Sequence, residues 1–259
     1  MNIIIESVIA FTPTLITSKL SLPVEKIWIP YSVLDNIYLY LLTFLYQIFN
    51  SYARSILICS IDLYLIIMMR QICAQLQIFK HRLNNLPQLL IENNNNNNSF
   101  TIENKKNELK ILKDWINHHK HVYTMGKKLN ELFSIMTFAQ FFLSTLALGV
   151  IIYQLAKVKL FTSKFFFMLF RLNNYLLEIY LLCWFGELMI SESVDVAQKI
   201  YEINWPLFST NSKKCLIIIM SRARIPIQLT AASIISLSFD TFFKIIKISY
   251  TAFNFLRNS

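Results

Sequence analysis

Apolar residues along this chain come in long runs rather than in alternation. The first full run, Ile37 to Met69, is interrupted only by Arg54 and Asp62. At about 1.5 Å per residue it reaches roughly 50 Å, beyond the ~30 Å hydrocarbon core, so the pattern predicts a helix that spans and then projects on one side. A second run over 132–156 carries no charge. A third over 165–190 carries Arg171, Glu178 and Glu187, and after it come a short apolar patch, Cys215 to Met220, and a terminal helix, which together make a fourth span over 215–257. A short apolar run, Ile3 to Phe11, is too short to span alone and has neither the basic head nor the small-residue cleavage site of a signal peptide. Runs of this length predict an all-α, polytopic helical membrane protein with four complete spans plus a stub at residues 1–11.

Between the first two full spans lies a polar segment, 70–130, that holds the run IENNNNNNSF, expected to be a disordered insert in a loop. Its flanks place apolar residues at helical spacing, for instance Leu109, Leu112, Trp115 and Ile116, as extensions of the neighbouring spans would. Lysine and arginine set the orientation. Ten fall in 70–130 and five in 191–229, against five in 12–36 and 157–164 combined. The positive-inside rule therefore puts the asparagine-rich loop in the cytosol and the C-terminus outside.

Composition agrees, since 55% of the 259 residues are hydrophobic and only 15% are charged, too little polar surface to clothe a soluble globule. Only three glycines and no alternating strands argue against a barrel. No basic cluster with interleaved aromatics appears outside the loops between apolar runs, so the formal charge of +10 serves topology and not nucleic-acid binding. The four cysteines show no paired spacing, which predicts neither a disulfide frame nor a zinc site. His118, His119 and His121 stand in NHHKHV, a stretch that holds no acid or cysteine of its own, and the plain reading is a solvated cytosolic helix. No phosphate loop, nucleophile elbow, zinc-helix or dinucleotide motif occurs, so nothing points to an enzyme, a metal or a cofactor.

The most informative pattern is in the last helix. Counting on from Asp240 by fours and threes gives Lys244, Lys247, Thr251, Asn254 and Asn258, and counting back gives Ser236 and Ser233. Such steps keep one seam along a helix. The span, expected to begin near Pro226, thus has one wet stripe on a greasy body. Either the stripe packs on polar groups of the same bundle, or several copies of it face one another around a water-filled axis. The other spans offer few polar partners, which favours the second arrangement.

The segments CWFGELMISESVDVAQKIYEINW and KKCLIIIMSRARIPIQLTAASIISLSFDTFFKIIKISYTAFNFL resemble the C-terminal end of insect odorant receptors. The likeness rests on Gly186, Glu187, Ser193, Ala197, Tyr201 and Trp205, then on Pro226, Thr230, Ala231, Ser238 to Phe242, Ser249 and Tyr250. Upstream, LPVEKIWIP, YLLTFLYQIF, Asp62 and LNELFSIMTFAQFFLSTLAL fit the same family. Ala232 stands where that family usually has glycine.

The resemblance implies that 1–11 is the remnant of a third span, 37–69 the fourth, 132–156 the fifth, 165–190 the sixth and 215–257 the seventh with its cytosolic anchor segment. The family has seven spans, so the chain is expected to be a fragment. The resemblance also implies a ligand-gated cation channel of the plasma membrane of olfactory sensory neurons, formed as a heterotetramer with the olfactory co-receptor and opened by a volatile odorant. Membrane lipid surrounds it, and nucleic acid has no part. On this likeness Asp240, Lys247, Thr251 and Asn254 line the pore, Phe255 is its hydrophobic constriction and Asn258 lies just outside. Tyr38, Leu42 and Tyr46, with Phe167, Phe170 and Asn174, are candidates to line the odorant site, although each is equally at home in ordinary helix packing. A gustatory-type receptor, a G-protein-coupled receptor and a non-conducting membrane protein are the alternatives. The Lys/Arg bias opposes the second of them.

Overall fold

The structure is a computed structural model that describes residues 37–95, 102–159 and 161–258. The apolar run at 1–11, the segment around LPVEKIWIP and the last asparagines of the polar loop lie outside the described residues. Five α-helices follow one another: α1 (Ile37–Asn95), α2 (Ile102–Lys157), α3 (Ser163–Tyr201), α4 (Thr210–Ala223) and α5 (Phe239–Asn258). A 3₁₀ turn, Trp205–Leu207, separates α3 from α4, and a two-stranded hairpin, β1 (Thr230–Ala231) and β2 (Ile235–Ser236), separates α4 from α5. Among the described residues three helical stretches are long and apolar enough to cross a membrane: Ile37–Asn85, Lys110–Lys157 and Ser163–Tyr201. The first three asparagines of the run close α1 as helix.

The chain divides between Tyr64 and Leu65 into two compact units. In the first, Tyr40, Thr43, Phe44, Gln47 and Ser51 form one buried strip of α1, with the rings of Tyr40 and Phe44 stacked at 6.3 Å.

In the second unit the core is densest not in the most apolar runs but in the amphipathic stretches beyond them. Leu65, Met69, Ile72, Leu76, Phe79 and Leu83 of α1 are all buried, at alternating steps of four and three. Leu112, Trp115, His119 and Val122 repeat the rhythm on α2, as do Met189, Ser193, Val196 and Ile200 on α3 and Ser212, Leu216, Ile219 and Ala223 on α4. Alternation of three and four keeps a seam on one side of a helix, and four such seams make a bundle closed around its own apolar side chains. The apolar runs nearer the membrane leave more of their surface exposed, as lipid permits. Polar ties trim the bundle. The Lys80 ammonium stands 2.5 Å from a Glu192 carboxylate oxygen and 3.4 Å from that of Asp195, and the Gln77 amide donates to Glu192 at 2.7 Å.

Residues 224–238 are the connection that sequence periodicity misses. The terminal helix starts at Phe239, not near Pro226. Upstream of it the backbone is held by side chains of other elements. Tyr123 donates to the Ile225 carbonyl at 3.0 Å, while the Ser193 hydroxyl accepts from the Ile227 N–H at 3.0 Å. Asn130 accepts from the Thr230 N–H at 2.6 Å, and Ser134 donates to the Thr230 carbonyl at 2.8 Å. The hairpin tip places Ala232 and Ser233 in the left-handed region, with φ of 50° and 59°. A Cβ is disfavoured there. Ala232→Gly is therefore expected to stabilise the protein by roughly 0.5–1 kcal/mol, read as a rise in the thermal midpoint of the detergent-purified protein. No rise would mean that the hairpin adopts another turn.

Candidate functional site

The terminal helix has two sides of opposite character. Thr241, Ile245 and Ser249 repeat every four residues and are buried. Thr241 donates to the Ser236 carbonyl at 2.6 Å and Ser249 to the Ile245 carbonyl at 2.9 Å, so each hydroxyl on the inner face is satisfied within the segment. Farther along that face Ala252 meets α2 where Gly149 offers no side chain: a Cβ on Gly149 would lie 3.4 Å from the Ala252 methyl.

Asp240, Lys244, Lys247 and Thr251 are exposed, and Asn254 is half-buried. At 100° per residue the centre of this polar seam stands roughly 135° from the centre of the buried strip. Within this chain, then, the seam faces away from the helices that α5 packs against. Phe255 is exposed as well, at 73%. Asn258 closes the helix, and its side chain lies outside the described residues. The apolar flanks of the seam, Phe243, Ile248 and Tyr250, are exposed too.

The other candidates divide between the two units. Phe167, Phe170 and Asn174 lie along one side of α3 and are half-buried. Tyr38, Leu42 and Tyr46 are exposed, at 80%, 64% and 63%, on the side of α1 opposite the strip of Tyr40, Thr43, Phe44 and Gln47. Of the charges inside apolar runs, Glu178 accepts a hydrogen bond from the Gln140 amide at 2.7 Å and so ties α3 to α2. Such a bond satisfies both groups where water is absent.

The histidine cluster departs from its solvated reading. His121 is exposed, but His119 is 4% exposed, with its ring centroid 5.4 Å from that of Phe79 and 4.6 Å from that of Tyr123. Arg222 lies 4.3 Å over the Tyr123 ring. Burial first, then the nearby Arg222 charge and His118, push the His119 pKa from the usual 6.5 down to about 4. His118 is lowered too, chiefly by burial, and its Nε2 stands 3.0 Å from the Gln75 amide oxygen. Among the described residues no group of three metal-ligating side chains is assembled.

This arrangement of long helices, hairpin and terminal helix has known counterparts. The profile of the 7tm odorant receptor family matches residues 3–250. The chain belongs to that family. Odorant receptor 19a of Drosophila melanogaster is 32% identical over 146 residues, which cover 56% of this chain and 38% of that receptor. Odorant receptor 9a of the same fly is 27% identical over 210 residues, 81% of this chain and 49% of the relative. The odorant receptor coreceptor of Aedes aegypti is 26% identical over 152 residues, covering 58% of this chain and 32% of the coreceptor. The chain thus matches about half or less of the length of these odorant receptors. The solved structure of the insect olfactory receptor OR5 from Machilis hrabei in complex with eugenol superposes with a TM-score of 0.77 at 17% identity, over 99% of this chain and 64% of that one. At that identity the likeness establishes the fold: an all-α, multi-pass membrane protein of the odorant receptor type.

Proposed function

We propose that this chain forms part of an odorant-gated cation channel subunit, acting with the olfactory co-receptor in the plasma membrane of olfactory sensory neurons. The observation that carries the proposal is the polar seam of α5. Four of its positions, two of them lysines, are exposed in the single chain on the side away from the helices that α5 packs against. A lysine facing hydrocarbon costs ~2.5–3.5 kcal/mol at the bilayer centre, so a seam of this kind belongs against water or a partner. Copies arranged about an axis would supply both, with Asp240, Lys247, Thr251 and Asn254 towards the ions. Phe255 and Asn258, at the last turns, would form the constriction and its outer rim. The orientation rests on the Lys/Arg bias, which sets the C-terminus outside.

Small-molecule sites are concave and mostly apolar, and the half-buried aromatic side of α3 at Phe167, Phe170 and Asn174 suits such a wall; Tyr38, Leu42 and Tyr46, in the other unit, are candidates on the family likeness alone. Kinship with the Aedes aegypti coreceptor supports assembly with a protein of that kind.

The test is electrical. With this chain expressed beside a co-receptor, cysteines at Lys247, Thr251 and Asn254 should react with small aqueous thiol reagents and alter conductance or ion selectivity. Cysteines at the buried positions Ile245 and Ser249 should stay inert. If the seam cysteines are unreachable both at rest and under odorant, the pore assignment is wrong. A glycosylation acceptor placed after residue 259 should be modified, and an unmodified one would reverse the orientation.

A further inference from the structure

A helix leaves its first four N–H groups without intrahelical acceptors, and the entry of α5 shows where they go. The Ser238 carbonyl accepts from Thr241 at 3.1 Å and from Phe242 at 3.2 Å, so Ser238 is the capping residue. Its hydroxyl stands 3.3 Å from that of Ser236. The next N–H, that of Phe239, is taken by a side chain from another helix: it donates to Glu187 Oε2 at 3.3 Å. The carboxylate meets the positive end of the α5 dipole, where a negative charge is stabilising.

The same face of α3 grips this entry at two further points. Gly186 admits the Leu237 carbonyl so closely that a Cβ would lie 2.3 Å from its oxygen. About two turns before Glu187, the Tyr180 ring lies 6.1 Å from that of Phe239 and 5.5 Å, edge-on, from that of Phe242.

We infer that Glu187 is the positioning residue of the terminal helix: carried by α3, its carboxylate caps α5 from outside and sets where the polar seam stands. The role in gating rests on the channel reading above. Phe167, Phe170 and Asn174 lie on the same continuous helix, and the thirteen residues from Asn174 to Glu187 span roughly 20 Å of it. A shift of α3 at one end is therefore delivered to the first turn of α5 at the other.

Hydrogen exchange with residue-level fragmentation on the protein in lipid nanodiscs tests the cap. Glu187→Leu should speed exchange of the Phe239 amide roughly five- to tenfold, the usual worth of a lost cap, and Glu187→Gln, which keeps an acceptor without the charge, should do so less. Exchange over 69–83 and 112–122 should not change. An unchanged Phe239 amide in Glu187→Leu overturns the proposal, as does a rise of equal size in those distant segments, which would mark a merely structural residue. Currents form the second arm. With this chain expressed beside a co-receptor, Glu187→Leu should shift the balance of resting to odorant-evoked current more than Glu187→Gln does. If exchange responds and the current balance does not, the cap stands and its role in gating falls. If the unmodified receptor carries no current at all, the channel reading fails while the exchange result still decides the cap.

Discussion

Gly186→Ala is expected to destabilise the protein by on the order of 3 kcal/mol, and to lower its thermal midpoint in detergent by roughly 6–12 °C. The added methyl would lie 2.3 Å from the Leu237 carbonyl oxygen, 2.7 Å from its Cβ and 3.0 Å from its carbonyl carbon. Two of those atoms are backbone, fixed by the Leu237 N–H bond to the Leu229 carbonyl at 2.9 Å, so no rotamer change relieves the clash. The helix α3 and the segment entering α5 must part. Alanine is the better helix former by ~1 kcal/mol, which makes a loss in this direction diagnostic of packing. Gly126→Ala provides the contrast. Its methyl would meet only the Ile227 side chain, at 2.4 Å from Cγ2, which has some freedom to turn aside. Its loss should be the smaller of the two. A midpoint for Gly186→Ala within 1 °C or so of the unsubstituted protein would show that the two segments do not approach as described.

Acid should weaken the bundle of amphipathic stretches through His119. Folded, its pKa is about 4; unfolded, it returns to the usual 6.5. Between those values the unfolded chain binds the proton and the folded one does not, so stability rises with pH there and is lost as pH falls from 6.5 towards 4. At 1.36 kcal/mol per unit the loss comes to roughly 3 kcal/mol at its fullest. The physical cause is a cation forced between the Phe79 and Tyr123 rings beside Arg222, with no buried partner for His119 Nε2. His119→Leu keeps the site apolar and removes the titrating group. Its unfolding free energy, measured by denaturant from pH 7 to pH 4.5, should slope less steeply by up to one proton's worth. His118, lowered in the same direction, adds a smaller contribution of the same sign. An unaltered slope in His119→Leu would remove His119 from the acid response.

Much of this chain is written in its pattern of apolar residues. Uncharged runs of span length require helices, because a backbone in lipid must satisfy its own hydrogen bonds, and the all-α membrane fold follows. Family membership was legible as well, in Gly186, Glu187, Ser193, Trp205 and the segment from Ser238 to Tyr250, and the match over residues 3–250 bears it out. The steps of three and four along α5 could be read as one seam, since helical geometry alone decides which side chains share a side.

Which way that seam faces was not legible. Period places residues on a common side of a helix but does not say what the side meets, and only the contacts of Thr241, Ile245 and Ser249 turn it away from its own chain. His119 shows the same limit. A histidine beside Lys120 reads as solvated, yet its place in a three-and-four seam buries it against Phe79 and Tyr123. The start of α5 was misplaced for a related reason: residues 226–238 are apolar enough to extend a span, but the bonds that hold them non-helical come from Ser193, Asn130 and Ser134, 33 or more residues away in sequence. Local pattern thus determined what each segment is and which family it belongs to. Tertiary structure decided which side of each segment meets which neighbour, because side chains brought together from distant positions settle that choice.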